Sequence, residues 1–270
     1  MTQTGLYVYA LVPTDSITIS DVPTGIDDAK LHFVEAQGIT AIVHESATEP
    51  YQGPDSDVQR WILQHSQVVD DAWQTAGTVL PMTFNVIVAP DPETNQTAYQ
   101  RLEQWLADAA ETVKSHLEQL RHHVELRVDI SLDEEAVTAG HDDIVALRES
   151  LESRSPGVQR LYRKRLEERT RQVADRIADE LYPQYRQRLA ALADDMVENA
   201  RLGKTPGSVT VLTASLLVQE ERMEAVGIEL ADIRDHQPGV NIRYLGPWPP
   251  YSFSDVPELT GVKQAPQADH

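Results

Sequence analysis

Apolar positions along the chain alternate between strand-like and helix-like spacing. Leu6 to Val12 is crowded with Leu, Val and Tyr and closed by Pro13, Asp15 and Ser16, which predicts a buried strand. Leu31 to Glu35 and Ile39 to His44 read as two short strands whose separation by Gln37 and Gly38 suits a hairpin. From Val58 to Thr75, Trp61, Ile62, His65, Val68, Val69, Ala72 and Trp73 recur at three- and four-residue steps, predicting a helix with Asp57 as N-cap and Gly77 as its end. Val79 to Val88 is strand-like but interrupted by Pro81, which predicts an edge position or a bulge.

A second helix is expected from Glu93 to Leu120, followed by a strand over His123 to Ile130 and an acidic crossing segment, Ser131 to Ser155, with one or two short helices. The longest helical pattern starts after Pro156 and Gly157. It carries Val158, Leu161, Leu166, Val173, Ile177, Leu181, Leu189, Leu192 and Met196 on one face, with a bend expected at Pro183. A strand over Val209 to Val218, a helix over Glu220 to Asp235 and a strand over Val240 to Leu245 complete the pattern. The order β, α, β, α, β in the second half predicts a modified ferredoxin-like domain. The fold class is therefore α+β in two domains: an N-terminal α/β unit (1–120), a ferredoxin-like domain (121–245) and a Pro/aromatic tail (246–270) whose first part folds back.

Composition narrows the function classes. With 270 residues and 41% hydrophobic content there is ample material for a core. Cysteine is absent, which excludes disulfides, thiolate metal sites and a catalytic thiol. A net charge of -20 opposes binding to a phosphate backbone or an anionic membrane, so neither is an expected partner. Only Lys30, Lys114, Lys164, Lys204 and Lys263 are lysines among 23 basic residues, a bias that with the acidity suggests a halophilic host. The sequence opens without a signal-peptide pattern, and its most apolar run, Val209 to Val218, is about half a membrane span. A soluble, cytoplasmic protein is expected.

Candidate chemistry is sparse. Gly203, Lys204 and Thr205 lack the upstream glycine of a phosphate loop, because position 198 is Glu, and read as a helix-to-strand turn. On a strand His123 and Glu125 share a face that His122 leaves, and His141, Asp142 and Asp143 complete a metal set only through an additional tertiary contact. His65 lies on an apolar helix face and is expected as a hydrogen-bonded core residue. No catalytic residue, cofactor or metal is assigned.

Two segments point to interaction. Between Gly157 and Ala190 nine basic residues face five acidic ones. This positive ridge reads either as a solvated, ion-paired helix face or as a docking surface for an acidic partner. Gly246 to Phe253 then packs three prolines and three aromatics into eight residues, an extended strip with large side chains to bury. The candidate partner-binding residues are Arg160, Arg163 and Lys164 of the ridge and Trp248, Tyr251 and Phe253 of the strip.

The strip GPWPPYSF, the opening GLYVYALV, the GITAIV strand, the HSQVV helix leading to VLPMTFNVIV, and the helix GVQRLYRKRL resemble, in this order, the gas vesicle protein F/L family, GvpL/GvpF. The resemblance runs from Gly5 to Phe253. The acidic enrichment departs from the general pattern and fits a haloarchaeal-type member. The resemblance implies a non-enzymatic accessory or minor structural protein that acts in gas vesicle assembly, on the vesicle and in the cytoplasm. It also implies partners: the small hydrophobic shell protein and other accessory proteins. The rival expectations are a ferredoxin-like regulator that binds a small molecule and a His/Asp metal-dependent enzyme.

Overall fold

The computed structural model describes residues 4–17, 24–152, 155–199 and 205–255. Its central strand, β1 (Gly5–Pro13), is buried from Gly5 through Val12, as a strand covered on both faces must be. Antiparallel β3 (Ile39–Ser46) pairs along one edge of it and continues to β2 (Leu31–Ala36), while β4 (Leu80–Pro81) and β5 (Ile87–Val88) pair with the other. Between β2 and β3 the turn residues Gln37 and Gly38 both have positive φ, 50° and 78°, as a two-residue type I′ turn needs.

The β1–β3 register slips between Val8 and Ala10. This bulge changes the parity of the strand: one buried cluster takes Tyr7 before it, Tyr9 within it, and Ala10 and Val12 after it. The same cluster takes Val68, Val69, Ala72 and Ala76 from α1 (Asp55–Ala76).

Helix boundaries differ from expectation where periodicity is blind to them. The N-cap of α1 is Pro54, without a side-chain cap, so Asp57 lies inside the first turn. At the other end Gly77 takes φ 69° and returns its N–H to Trp73 O at 2.9 Å, as the sequence predicts. The helix expected over Glu93 to Leu120 is two, α2 (Ala98–Asp108) and α3 (Ala110–Gln119), broken at Ala109. Leu102, Leu106, Val113 and Leu117 are buried with unbroken spacing across that joint, so the pattern alone conceals it. A capping box between Thr97 and Gln100 starts α2 several residues late. The Val79 to Val88 strand is likewise split into the two-residue β4 and β5.

β6 (His123–Asp133) leads through α4 (Glu134–Thr138) and α5 (Asp142–Glu152) to the 35-residue α6 (Pro156–Ala190), which continues as one helix through Pro183. The chain then forms β7 (Asp195–Glu198), β8 (Ser208–Gln219), α7 (Met223–His236) and β9 (Val240–Trp248). These strands make a second sheet of order β7-β8-β6-β9. β7 was not expected. Its Met196, read as the last apolar residue of the long helix, pairs with Leu216 across an antiparallel ladder instead. β9 also runs three residues past Leu245, into the Pro/aromatic strip.

Along α6 the apolar stripe is only partly covered. Val173, Ala174, Ala178, Tyr185 and Leu189 are buried, whereas Val158 and Leu161 are 40% and 68% exposed. Periodicity identifies a face but not how far along the helix anything packs on it.

The chain divides into two compact units, one reaching Glu125 and taking in the segment from Pro247 onward, the other Leu126–Gly246. The strip begins where the second unit ends: Gly246 falls in the second unit and Pro247 in the first. No described helix is long and apolar enough to cross a membrane.

Candidate functional site

The six candidate partner-binding residues fall into two groups. Arg160, Arg163 and Lys164 are exposed on the first turns of α6, in the second unit, beside exposed Val158 and Leu161. Lys164 lies 3.9 Å from Glu168, one turn on. Further along the ridge, Arg169 pairs with Asp143, Arg186 with Glu198, and Arg188 with Glu229 and Asp232. The ridge is therefore two things. Arg169, Arg186 and Arg188 are ion-paired within the unit, and the N-terminal turns present cations together with apolar side chains.

Trp248, Tyr251 and Phe253 belong to the first unit. Pro249 and Pro250 are buried, and Tyr251 packs against the cluster around Tyr7. Ser252 donates its N–H (2.8 Å) and its hydroxyl (2.6 Å) to the two oxygens of Glu125, and the Ser254 hydroxyl donates to Pro81 O at 3.2 Å. Trp248 remains 40% exposed.

Beneath this strip lies a buried network that the apolar pattern did not reveal. Tyr7 Oη is 2.9 Å from His65 Nδ1, and His65 Nε2 is 3.0 Å from Met82 O. A carbonyl only accepts, so His65 carries its proton on Nε2 and Nδ1 accepts from Tyr7. The Tyr7 oxygen in turn accepts the Asn85 N–H. Tyr9 Oη accepts the Ile26 N–H at 2.8 Å and lies 2.8 Å from His44 Nδ1, while His44 Nε2 reaches Tyr51 Oη at 3.0 Å. Gly25 allows this approach, because a Cβ there would overlap Tyr9 Oη. Burial, the dominant cause, pushes both histidines down to about 4 and the Tyr7 and Tyr9 phenols up. His65 is thus the bonded core residue its helix face predicted, and both imidazoles are neutral.

His122 takes φ 61° and His123 Nδ1 bonds to Arg121 O, while Glu125 is engaged by Ser252. Among the described residues no three His, Asp or Glu side chains are placed to hold a metal ion. Gly203 and Lys204 lie outside the described residues.

The described residues thus form two compact units, each mixing helix and sheet. The family model described as gas vesicle synthesis protein GvpL/GvpF matches residues 5–255, and the chain belongs to that family. It is 31% identical to gas vesicle protein L1 of Halobacterium salinarum over 264 residues, covering 93% of this chain and 90% of that protein. It is 26% identical to gas vesicle protein L of Haloferax mediterranei, covering 89% and 75%. In fold it is similar to the crystal structure of GvpF from Anabaena sp. PCC7120, with a TM-score of 0.64 at 18% identity, covering 95% of this chain and 98% of that one. Family membership supports a role in gas vesicle formation.

Proposed function

We propose that this protein is a non-enzymatic accessory or minor structural component of gas vesicle assembly, found on the vesicle and in the cytoplasm, which binds the small hydrophobic shell protein and other accessory proteins. The observation that carries this reading is the family match over residues 5–255. Val158 and Leu161, exposed beside Arg160, Arg163 and Lys164, support it further. An apolar patch rimmed by charge suits a partner whose own surface is apolar, with the cations fixing register.

We read the second unit as ferredoxin-like. The strand order β9-β6-β8-β7, with α6 and α7 as the two crossing helices, supports that reading.

The test is capture of shell and accessory proteins by the full chain, by Leu161→Asp, and by Arg160→Glu with Lys164→Glu. All three substituted sites are exposed, so unchanged melting with lost capture is the expected result. Equal capture by all forms overturns the role of this patch, and no capture by the parent chain overturns the function.

A second reading, a small-molecule-binding regulator, is favoured by one observation. The second unit holds a cleft of about 910 Å³ whose lining includes Asp129, Glu134, Arg171, Asp175, Asp179 and Arg243. A thermal-shift screen against nucleotides and metabolites tests it.

A further inference from the structure

A small pocket in the first unit combines negative charge with aromatic faces. Ser66 and Asp70 reach it from α1, Glu125 from β6, and Trp248, Pro249 and Tyr251 from the strip. At about 260 Å³ it is smaller than the roughly 300–1,000 Å³ pockets that enclose a whole small-molecule ligand, and suits a single side chain.

Glu125 is only 6% exposed. Its two oxygens are satisfied as acceptors by Ser252, but both donors are neutral and leave the carboxylate charge uncompensated. Among the described residues neither Glu125 nor Asp70 forms an ion pair. Burial, and after it the neighbouring Asp71, holds the Asp70 carboxyl above its ordinary range.

Tyr251 Oη is buried and completes no hydrogen bond of regular geometry, although the Ser66 hydroxyl beside it moderates the rise in its pKa. The Trp248 indole forms part of the wall while remaining 40% exposed. The lining residues thus supply two anions and two electron-rich rings, with no positive charge among them.

We propose that this pocket receives an arginine side chain of a partner protein, its guanidinium lying on the Trp248 ring and its N–H groups directed to Asp70 and Glu125. A planar guanidinium stacks on an indole and divides several donors among separate acceptors, which a compact ammonium does less well. A pair formed in a half-closed pocket is also screened less by molar salt than one on an open surface. That the arginine comes from a protein rests on the assembly role proposed above; the chemistry of the pocket does not.

The test uses the full chain and N-acetyl-arginine amide, with the neutral, equally shaped N-acetyl-citrulline amide as control, following the Trp248 indole N–H by NMR. The signal is identified by its loss in Trp248→Leu. The arginine probe produces a saturable shift, the citrulline probe does not, and Asp70→Asn weakens the arginine probe by about tenfold, the scale of one charge-assisted contact. Should Asp70→Asn melt early, tryptophan signals elsewhere in Trp248→Leu report whether the probe still binds. Equal shifts from both probes, absence of saturation, or undiminished binding in either variant overturns the proposal. Failure of shell and accessory proteins to bind the chain removes the assembly reading and leaves the probe titration standing.

Discussion

Ser252 grips Glu125 twice, through its backbone N–H and through its hydroxyl, so a residue late in the chain holds down a carboxylate at the start of β6. The bonds are charge-assisted and one partner is buried. Ser252→Ala removes the hydroxyl bond and keeps the N–H bond, and is expected to cost about 1 kcal/mol. A chain ending at Trp248 loses both bonds and the burial of Tyr251, and is expected to lose a few kcal/mol. Thermal melts rank the three forms; equal melting of the parent and the shortened chain would show that the strip is not holding the first unit together.

The two neutral histidines make the first unit acid-sensitive. Their folded pKa values, about 4, lie below the unfolded value of about 6.5, so between these limits protons bind preferentially to the unfolded chain. Stability present above pH 6.5 is lost as pH falls toward 4, by up to about 1.4 kcal/mol per histidine for each pH unit. Protonation of the many carboxylates changes stability over the same range, so the informative quantity is a difference. His65→Leu is expected to be less stable than the parent at pH 7, with a gap that narrows on acidification. A gap independent of pH would contradict a neutral, buried His65.

Gly25→Ala probes the Tyr9 anchor without backbone strain, since Gly25 has φ -80°. The added methyl displaces Tyr9 Oη and with it the bonds to Ile26 N and His44 Nδ1, at a cost of about 1–3 kcal/mol. Near-ultraviolet circular dichroism should weaken with the loss of the tyrosine packing. An unchanged spectrum and melt would mean that the Tyr9 ring is not anchored there.

A net charge of -20 leaves carboxylates repelling one another across the surface unless salt screens them. The Debye length grows from about 3 Å at 1 M salt to about 10 Å at 0.1 M. Melting temperature is expected to fall steadily as potassium chloride is diluted over that range. A melt indifferent to salt would show that the acidic surface carries no folding penalty.

Much of the architecture was legible in the sequence because it rests on short-range patterns. Strand β1, the Gln37–Gly38 turn, the Gly77 cap and the interior place of His65 each follow from a few neighbouring residues. What the pattern hid depends on longer-range pairing. The break at Ala109 preserves helical spacing, and β7 acquires its strand form from Leu216 and its neighbours in β8. The exposure of Leu161 depends on how far α6 is covered. The Tyr7–His65 and Tyr9–His44 links join residues 58 and 35 positions apart, and the bulge that aligns the two tyrosines with Ala10 and Val12 is visible only in the register of β3. The Pro/aromatic strip was recognisable as a segment that must bury its rings. That Tyr251 and Ser252 engage residues of the first unit, although Val240–Gly246 of β9 lie in the second, required the fold.

The first unit is interrupted in sequence by the second. A ribosome delivering this chain must release all of Leu126–Gly246 before the residues from Pro247 onward exist. Until then the Tyr7 cluster lacks Tyr251, and the Glu125 carboxylate lacks both of its Ser252 donors. Completion of the first unit is thereby tied to synthesis of the whole second unit. A chain stopped before Pro247 therefore carries an unfinished first unit.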